Sequence, residues 1–242
     1  SFTVDDEHVT WGEWDLRIGF DTREGLILRQ LSFAGRPVMY RGSISEMVVP
    51  YADPAPNRFW QNYFDTGEYL VGRYANALEL GCDCLGEIHY FDAHVLDGVG
   101  EAQTITNGVC LHEEDSSILW KHVNTRTGEA DVRRSRRLVI SFFATVANYD
   151  YGFYWSLYQD GSIELEIKLT GILSVSGIDD GTMPGEWGTL GVDDEGSQTQ
   201  RNVLIEDGVA KAVILDTNGP GASALTVTAL PASSLPRIRV MW

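Results

Sequence analysis

The chain has 242 residues, with 35 acidic against 18 basic side chains and a formal charge of −17. That balance excludes nucleic acid as a partner, because phosphate binding needs clustered Lys and Arg. Nor does any stretch approach the roughly 20 apolar residues of a membrane-spanning helix, while 43% hydrophobic content suffices to bury one sizeable core.

Ser1-Phe2-Thr3-Val4-Asp5-Asp6-Glu7 lacks the basic and apolar regions of a signal peptide, so it reads as a start inside a longer protein or as a trimmed chain. Trp14, Leu16, Ile18 and Phe20 alternate with polar residues and predict a half-buried strand. Gly25 punctuates, and Leu26 to Phe33 is its hairpin partner. A further strand region runs from Val38 to Val49, broken at Gly42 and stopped by Pro50. Asp53-Pro54-Ala55-Pro56-Asn57 is a loop, since neither proline can donate to a ladder. Glu87 to Ala93 and Ile118 to Val123 read as short strands.

Three cysteines, Cys82, Cys84 and Cys110, leave one odd if a disulfide forms. The one-residue spacing of Cys82 and Cys84 does not suit a zinc site. The residues alone leave Cys110 free to pair with either. The only basic cluster, Arg133-Arg134-Ser135-Arg136-Arg137, precedes the apolar run Leu138 to Ala144, which has the length and residue types of a buried strand. Phe153, Trp155 and Leu157 then alternate, Asp160-Gly161 makes a turn, and Ile163, Leu165, Ile167 and Leu169 alternate again, a strong hairpin signal. No stretch has a helical period. The fold class is therefore all-β, an antiparallel β-sandwich.

Between the buried run and the hairpin lies Thr145-Val146-Ala147-Asn148-Tyr149-Asp150-Tyr151. A tyrosine between an amide and a carboxylate in a sheet needs partners, because each unpaired buried polar group costs a few kcal/mol. This stretch resembles the active-site motif of the copper-containing primary-amine oxidases. Two more blocks share the resemblance: Ser45-Glu46-Met47-Val48-Val49-Pro50-Tyr51, and Trp60 to Gly72, which contains Tyr63-Phe64-Asp65-Thr66-Gly67.

The resemblance implies that Tyr149 is the precursor of the quinone cofactor topaquinone, formed by copper and oxygen. A primary amine would condense with that quinone and Asp65 would remove the α-proton, giving aldehyde, ammonia and hydrogen peroxide. Asn148 would hold the ring in place, Tyr51 would donate a hydrogen bond to a ring oxygen, and Tyr63 would line the substrate channel. Burial beside Phe64 and other rings would raise the Asp65 pKa towards working pH. The same resemblance implies a Cys84–Cys110 disulfide, a homodimer, and a catalytic domain that is a large β-sandwich.

The likeness covers residues 1–190, the first part of that domain, and residues 191–242 read as a β-rich tail unlike the family. In the tail, Val203 to Ile205, a turn at Asp207-Gly208, Ala210 to Leu215, and alternation at Leu225, Val227 and Ala229 suggest strands. Family members bind copper through three histidines downstream of the tyrosine. Here His8, His89, His94, His112 and His122 all precede Tyr149, and Gln198-Thr199-Gln200 stands at about the expected place. Imidazole suits copper and neutral amides do not, so no metal ligand is assigned and the chain reads as a truncated or metal-deficient form. Two other classes fit parts of the sequence: a glycan-acting enzyme using Asp65 and Asp150 as paired carboxylates, and a non-catalytic binding or structural domain.

Overall fold

The computed structural model describes residues 2–50 and 60–172, with the backbone of four short strands beyond them. Tyr51, the Asp53–Asn57 loop, Thr189, Leu190, Asp207, Gly208, Gln198 and Gln200 lie outside the described residues. In chain order the strands are β1 (Thr3–Asp5), β2 (His8–Trp11), β3 (Trp14–Asp21), β4 (Gly25–Phe33), β5 (Arg36–Glu46), β6 (Val48–Pro50) and β7 (Asn62–Phe64). After a single 3₁₀ turn, Val71–Tyr74, come β8 (Ile88–Leu96), β9 (Ala102–Val123), β10 (Ala130–Val146), β11 (Tyr149–Tyr158) and β12 (Ile163–Gly171). The later strands are β13 (Ile205–Glu206), β14 (Val209–Ala210), β15 (Ala224–Ala229) and β16 (Ile238–Met241).

They form two six-stranded sheets, β1-β2-β3-β4-β5-β15 and β16-β12-β11-β10-β9-β8, with small pairs β6-β7 and β13-β14. The expected hairpins are there, Leu26 opposite Phe20 and Leu157 opposite Ile163. Period-two alternation turns Trp14, Leu16 and Ile18 of one sheet and Ile140, Phe142, Phe153 and Trp155 of the other into one shared core. Phe142 sits at its centre, edge-on to Phe20 at 5.5 Å and stacked on Phe153 at 4.6 Å. The Trp14 indole N–H donates across to the Tyr158 carbonyl at 2.7 Å, so this buried polar group is satisfied.

The structure departs from expectation in three places. Gly42 does not break β5: it lies in register opposite Leu28, and its missing side chain leaves room for Met39, whose Cε would be 2.7 Å from a Cβ there. Two short strands, β1 and β2, precede the expected first one, because segments of 3 and 4 residues are too brief to show a period. The segment from Ile118 is only the far end of β9, which runs 22 residues and pairs with β10 as a long exposed arm.

Candidate active site

The β10–β11 connection is a two-residue turn, Ala147-Asn148, because Val146 pairs with Tyr149. Tyr149 is thus the first residue of β11 rather than an interior strand position. Ala147 adopts φ 53°, a left-handed conformation that favours glycine and costs an alanine about 1 kcal/mol. Asn148 is exposed, and its carbonyl accepts the Ile172 N–H at 2.7 Å.

Beyond the turn, alternation places Tyr149, Tyr151 and Phe153 on the core side of β11 and Asp150 on the other. Tyr149 is half-buried and its ring stacks against Tyr151, centroids 6.5 Å apart and planes 17° from parallel. Asp150 accepts the Thr145 hydroxyl at 2.7 Å, and Thr145 in turn accepts the Asn76 side-chain amide at 3.1 Å.

Asp65 reaches this place from a different part of the chain. Val48 pairs with Phe64 in the β6–β7 ribbon, and the Asp65 N–H then donates to the Met47 carbonyl at 2.9 Å. The chain turns at once, with the Glu68 N–H on the Phe64 carbonyl at 2.8 Å. That turn buries Asp65 to 4% exposure, and the Tyr151 hydroxyl donates to its Oδ2 at 2.7 Å. Burial pushes the Asp65 pKa above the usual aspartate range; the Tyr151 bond opposes this, while the Glu46 and Glu68 charges add to it. Phe64, the preceding residue, is 40% exposed, and Tyr151 is the ring that bonds the carboxylate. Tyr63 packs edge-on to Tyr69 at 5.7 Å and accepts the Gln61 side-chain amide at 3.2 Å.

Asp65 and Tyr149 are therefore joined through Tyr151, which sequence reasoning missed. The signal was present, since a residue two places after Tyr149 must share its face. Asp65 and Asp150, in contrast, are held by partners on opposite sides of β11, so they do not flank one bond as a glycosidase pair must.

Cys84 and Cys110 are buried together with Leu78, Ile88, Tyr90 and Phe143, while Cys82 is exposed. The two cysteines that the resemblance pairs, Cys84 and Cys110, thus lie in one buried cluster, each as a thiol in this structure. Burial, reinforced by Cys84, pushes the Cys110 thiol far up. A cavity of about 320 Å³ adjoins this cluster, walled by Asn76, Asp83, Cys84, Ser141, Phe143 and Tyr154, away from Asp65.

Among the described residues no group of three or more metal-ligating side chains converges. His8 is bonded to Asp15, His94 to Thr104 and His112 to Glu114, while His89 and His122 pack on Phe91 and Trp120. These residues do not fit a copper ion. No helix among the described residues is long and apolar enough to cross a membrane.

An antiparallel sandwich with a buried, hydrogen-bonded carboxylate and two stacked tyrosines defines a candidate acid–base enzyme of all-β class. The family model "Copper amine oxidase, enzyme domain" matches residues 3–195, and the chain belongs to that family. It is 61% identical over 184 residues to the histamine oxidase of Arthrobacter globiformis, covering 74% of this chain and 27% of that protein. It is 59% identical over 190 residues to the primary amine oxidase of Arthrobacter sp. (strain P1), covering 77% and 29%. The crystal structure of a copper-containing benzylamine oxidase from Hansenula polymorpha superposes with a TM-score of 0.70 at 40% identity, over 76% of this chain and 29% of that one. The chain thus spans less than a third of the length of these relatives. A second model, "PmbA/TldA metallopeptidase C-terminal domain", matches residues 173–239.

Proposed function

We propose that this chain is the first part of the catalytic domain of a primary-amine oxidase, acting on a primary amine with molecular oxygen. Asp65 is the base, Tyr149 the topaquinone precursor, Asn148 and Tyr51 its positioning neighbours, and Tyr63 a residue of the amine channel. The overall reaction converts amine, oxygen and water into aldehyde, ammonia and hydrogen peroxide. The observation that carries this reading is the Asp65–Tyr151 hydrogen bond beside the Tyr149 ring.

A carboxylate kept from water has a raised pKa and is matched to taking a proton near neutral pH. It would take that proton from the carbon bearing the amine nitrogen. Tyr151 holds one carboxylate oxygen and so fixes which way the other points. The homodimer and the Cys84–Cys110 disulfide are carried over with the resemblance.

The domain division proposed is 1–190 for the amine oxidase part and 191–242 for a separate β-rich tail. It is supported by the family match ending at 195 and the different match over 173–239. Because the described histidines do not fit copper, the isolated chain should keep Tyr149 as tyrosine and have little oxidase activity. Expressed with copper and oxygen, its Tyr149 peptide should show the unmodified mass and give no coloured hydrazine adduct. A mass gain matching the quinone, with colour, would overturn that part.

The activity itself is tested by a chimera. Residues 1–190 replace the matching segment of the Arthrobacter globiformis histamine oxidase, which supplies the rest of the domain. The chimera should release peroxide from a primary amine and lose this with Asp65→Asn. A folded, copper-loaded chimera that makes no quinone would refute the reading.

A further inference from the structure

The turn carrying Asp65 is held by a group that the proposed chemistry does not use. Glu46, the last residue of β5, lays its carboxylate over Thr66-Gly67, and its Oε1 accepts the N–H groups of Gly67 and Met47, each at 2.9 Å. Met47 also holds the Asp65 N–H through its carbonyl. One carboxylate thus ties β5 to both sides of the base.

The fit depends on the absence of a side chain at Gly67. A Cβ there would lie 2.2 Å from Glu46 Oε2, and the Gly67 backbone is not in the left-handed region. A side chain at this position would push the Glu46 carboxylate aside without straining the backbone. Thr66 adds no anchor, since its buried hydroxyl has no hydrogen-bond partner among the described residues.

Glu46 is itself fixed from behind. Its Oε2 lies 3.6 Å from Arg23, which also bonds Glu24 at 3.1 Å. Glu24, 9% exposed, takes Arg23 on Oε1, and both Arg41, at 2.6 Å, and the Ser43 hydroxyl on Oε2. Two guanidinium groups against two carboxylates leave this cluster neutral, so Glu46 has partners it would have to abandon to swing away.

We propose that Glu46 is a positioning residue that holds the Asp65-Thr66-Gly67 turn through the Gly67 N–H, and so keeps the Asp65 carboxylate against the Tyr151 hydroxyl. The proposal rests on the reading of Asp65 as the base. A Glu46 that acted only through its charge would move the Asp65 midpoint without holding the Tyr151 hydroxyl on the carboxylate. The groups facing Asp65 are Tyr151 from β11 and Glu46, Glu68 and Tyr69 from its own side, with Arg23 behind Glu46.

The test uses the full 242-residue chain with carboxyl-labelled aspartate, followed by NMR. Glu46→Gln keeps an acceptor oxygen for the Gly67 N–H and removes the charge. It should lower the Asp65 titration midpoint, with the Tyr151 hydroxyl proton still slow to exchange. Gly67→Ala keeps every charge but expels the carboxylate. It should make the amide at Asp65 exchange at least tenfold faster and abolish the slow Tyr151 hydroxyl signal. Glu46→Ala should do the same, with Glu46→Gln as its rescue; if Glu46→Ala fails to fold, Gly67→Ala and Glu46→Gln decide the matter. A Tyr151 signal and an Asp65 amide both unmoved by Gly67→Ala would overturn the proposal, whatever Glu46→Gln does to the Asp65 midpoint. None of these readouts needs amine turnover. A failed chimera would remove the base assignment and leave these shifts standing, whereas an unmoved Tyr151 signal in Gly67→Ala would remove Glu46 alone.

Discussion

Tyr151 is the side chain on which the site turns, because it both bonds the buried Asp65 carboxylate and touches the Tyr149 ring. A hydrogen bond to a charged group contributes about 1.5–3 kcal/mol, so Tyr151→Phe should destabilise the chain by about that much at neutral pH, read from urea unfolding. The pH dependence has a definite sign. The folded Asp65 pKa lies above the ordinary 3.8, so the folded chain keeps a proton that the unfolded chain has lost. Asp65 therefore makes stability fall as pH rises from near 3.8 through the folded midpoint. Removing the Tyr151 bond, which lowers that midpoint, should move it further up and widen the window. A carbon-detected titration in which the Asp65 midpoint falls in Tyr151→Phe would contradict the assigned bond.

At the scale of elements, two connections matter most. The Val71–Tyr74 turn, which follows Asp65 closely, is pinned to the β3–β4 turn by Arg73 N–H to Thr22 carbonyl at 2.9 Å. Gly72 is buried there, and a Cβ would lie 2.0 Å from the Asp21 backbone oxygen, a contact that no rotamer can relieve. Gly72→Ala should cost about 1–3 kcal/mol by overpacking, and it should loosen the Asp65 turn in hydrogen exchange. If its denaturation midpoint matched the parent's, the packing described here would be wrong.

The β9–β10 arm depends on charge instead. Arg137 reaches Glu114 and Arg134 reaches Asp115 across the ladder. The Arg134 hydrogen bond and the Ser117 N–H hold the Asp115 carboxyl at about 2, and Glu114 lies below its usual range because His112 and Arg137 outweigh its burial. Lowered carboxylate pKa values supply stability above the unfolded-state pKa, and this is lost as pH falls through the folded values. Acidification from near 4.5 towards 2 should therefore release amide protection in the distal arm before the core. Simultaneous loss in both would show that the ion pairs do not hold the arm.

At the scale of the whole molecule, the main core of the described residues is shared by two sheets, and Phe142 joins them. It touches Phe20 of the facing sheet and Phe153 of its own, and it fills the space beside Gly25. Phe142→Ala should cost about 3–5 kcal/mol, the range for emptying a buried aromatic site, measured as a shifted denaturation midpoint. A cost below about 1 kcal/mol would mean that the site collapses freely or that the sheets do not depend on it.

Much of this architecture could be read from the sequence alone. The apolar run ending at Ala144, the alternation from Phe153 to Leu169 and the Asp160-Gly161 turn specify β10, β11 and β12 because a strand's side-chain period is two and its turns need particular residues. The three family-like blocks also marked Asp65 and Tyr149 as members of one site. Only the tertiary structure decided that the two meet through Tyr151, that the chain turns at Ala147-Asn148, and that Gly42 continues its strand beside Met39. It also decided that Asp150 faces away from Asp65. The reason is physical: local pattern sets which face a side chain takes. Its neighbour across a sheet or turn depends on register and on packing between segments far apart in the chain, and no window of sequence contains both partners.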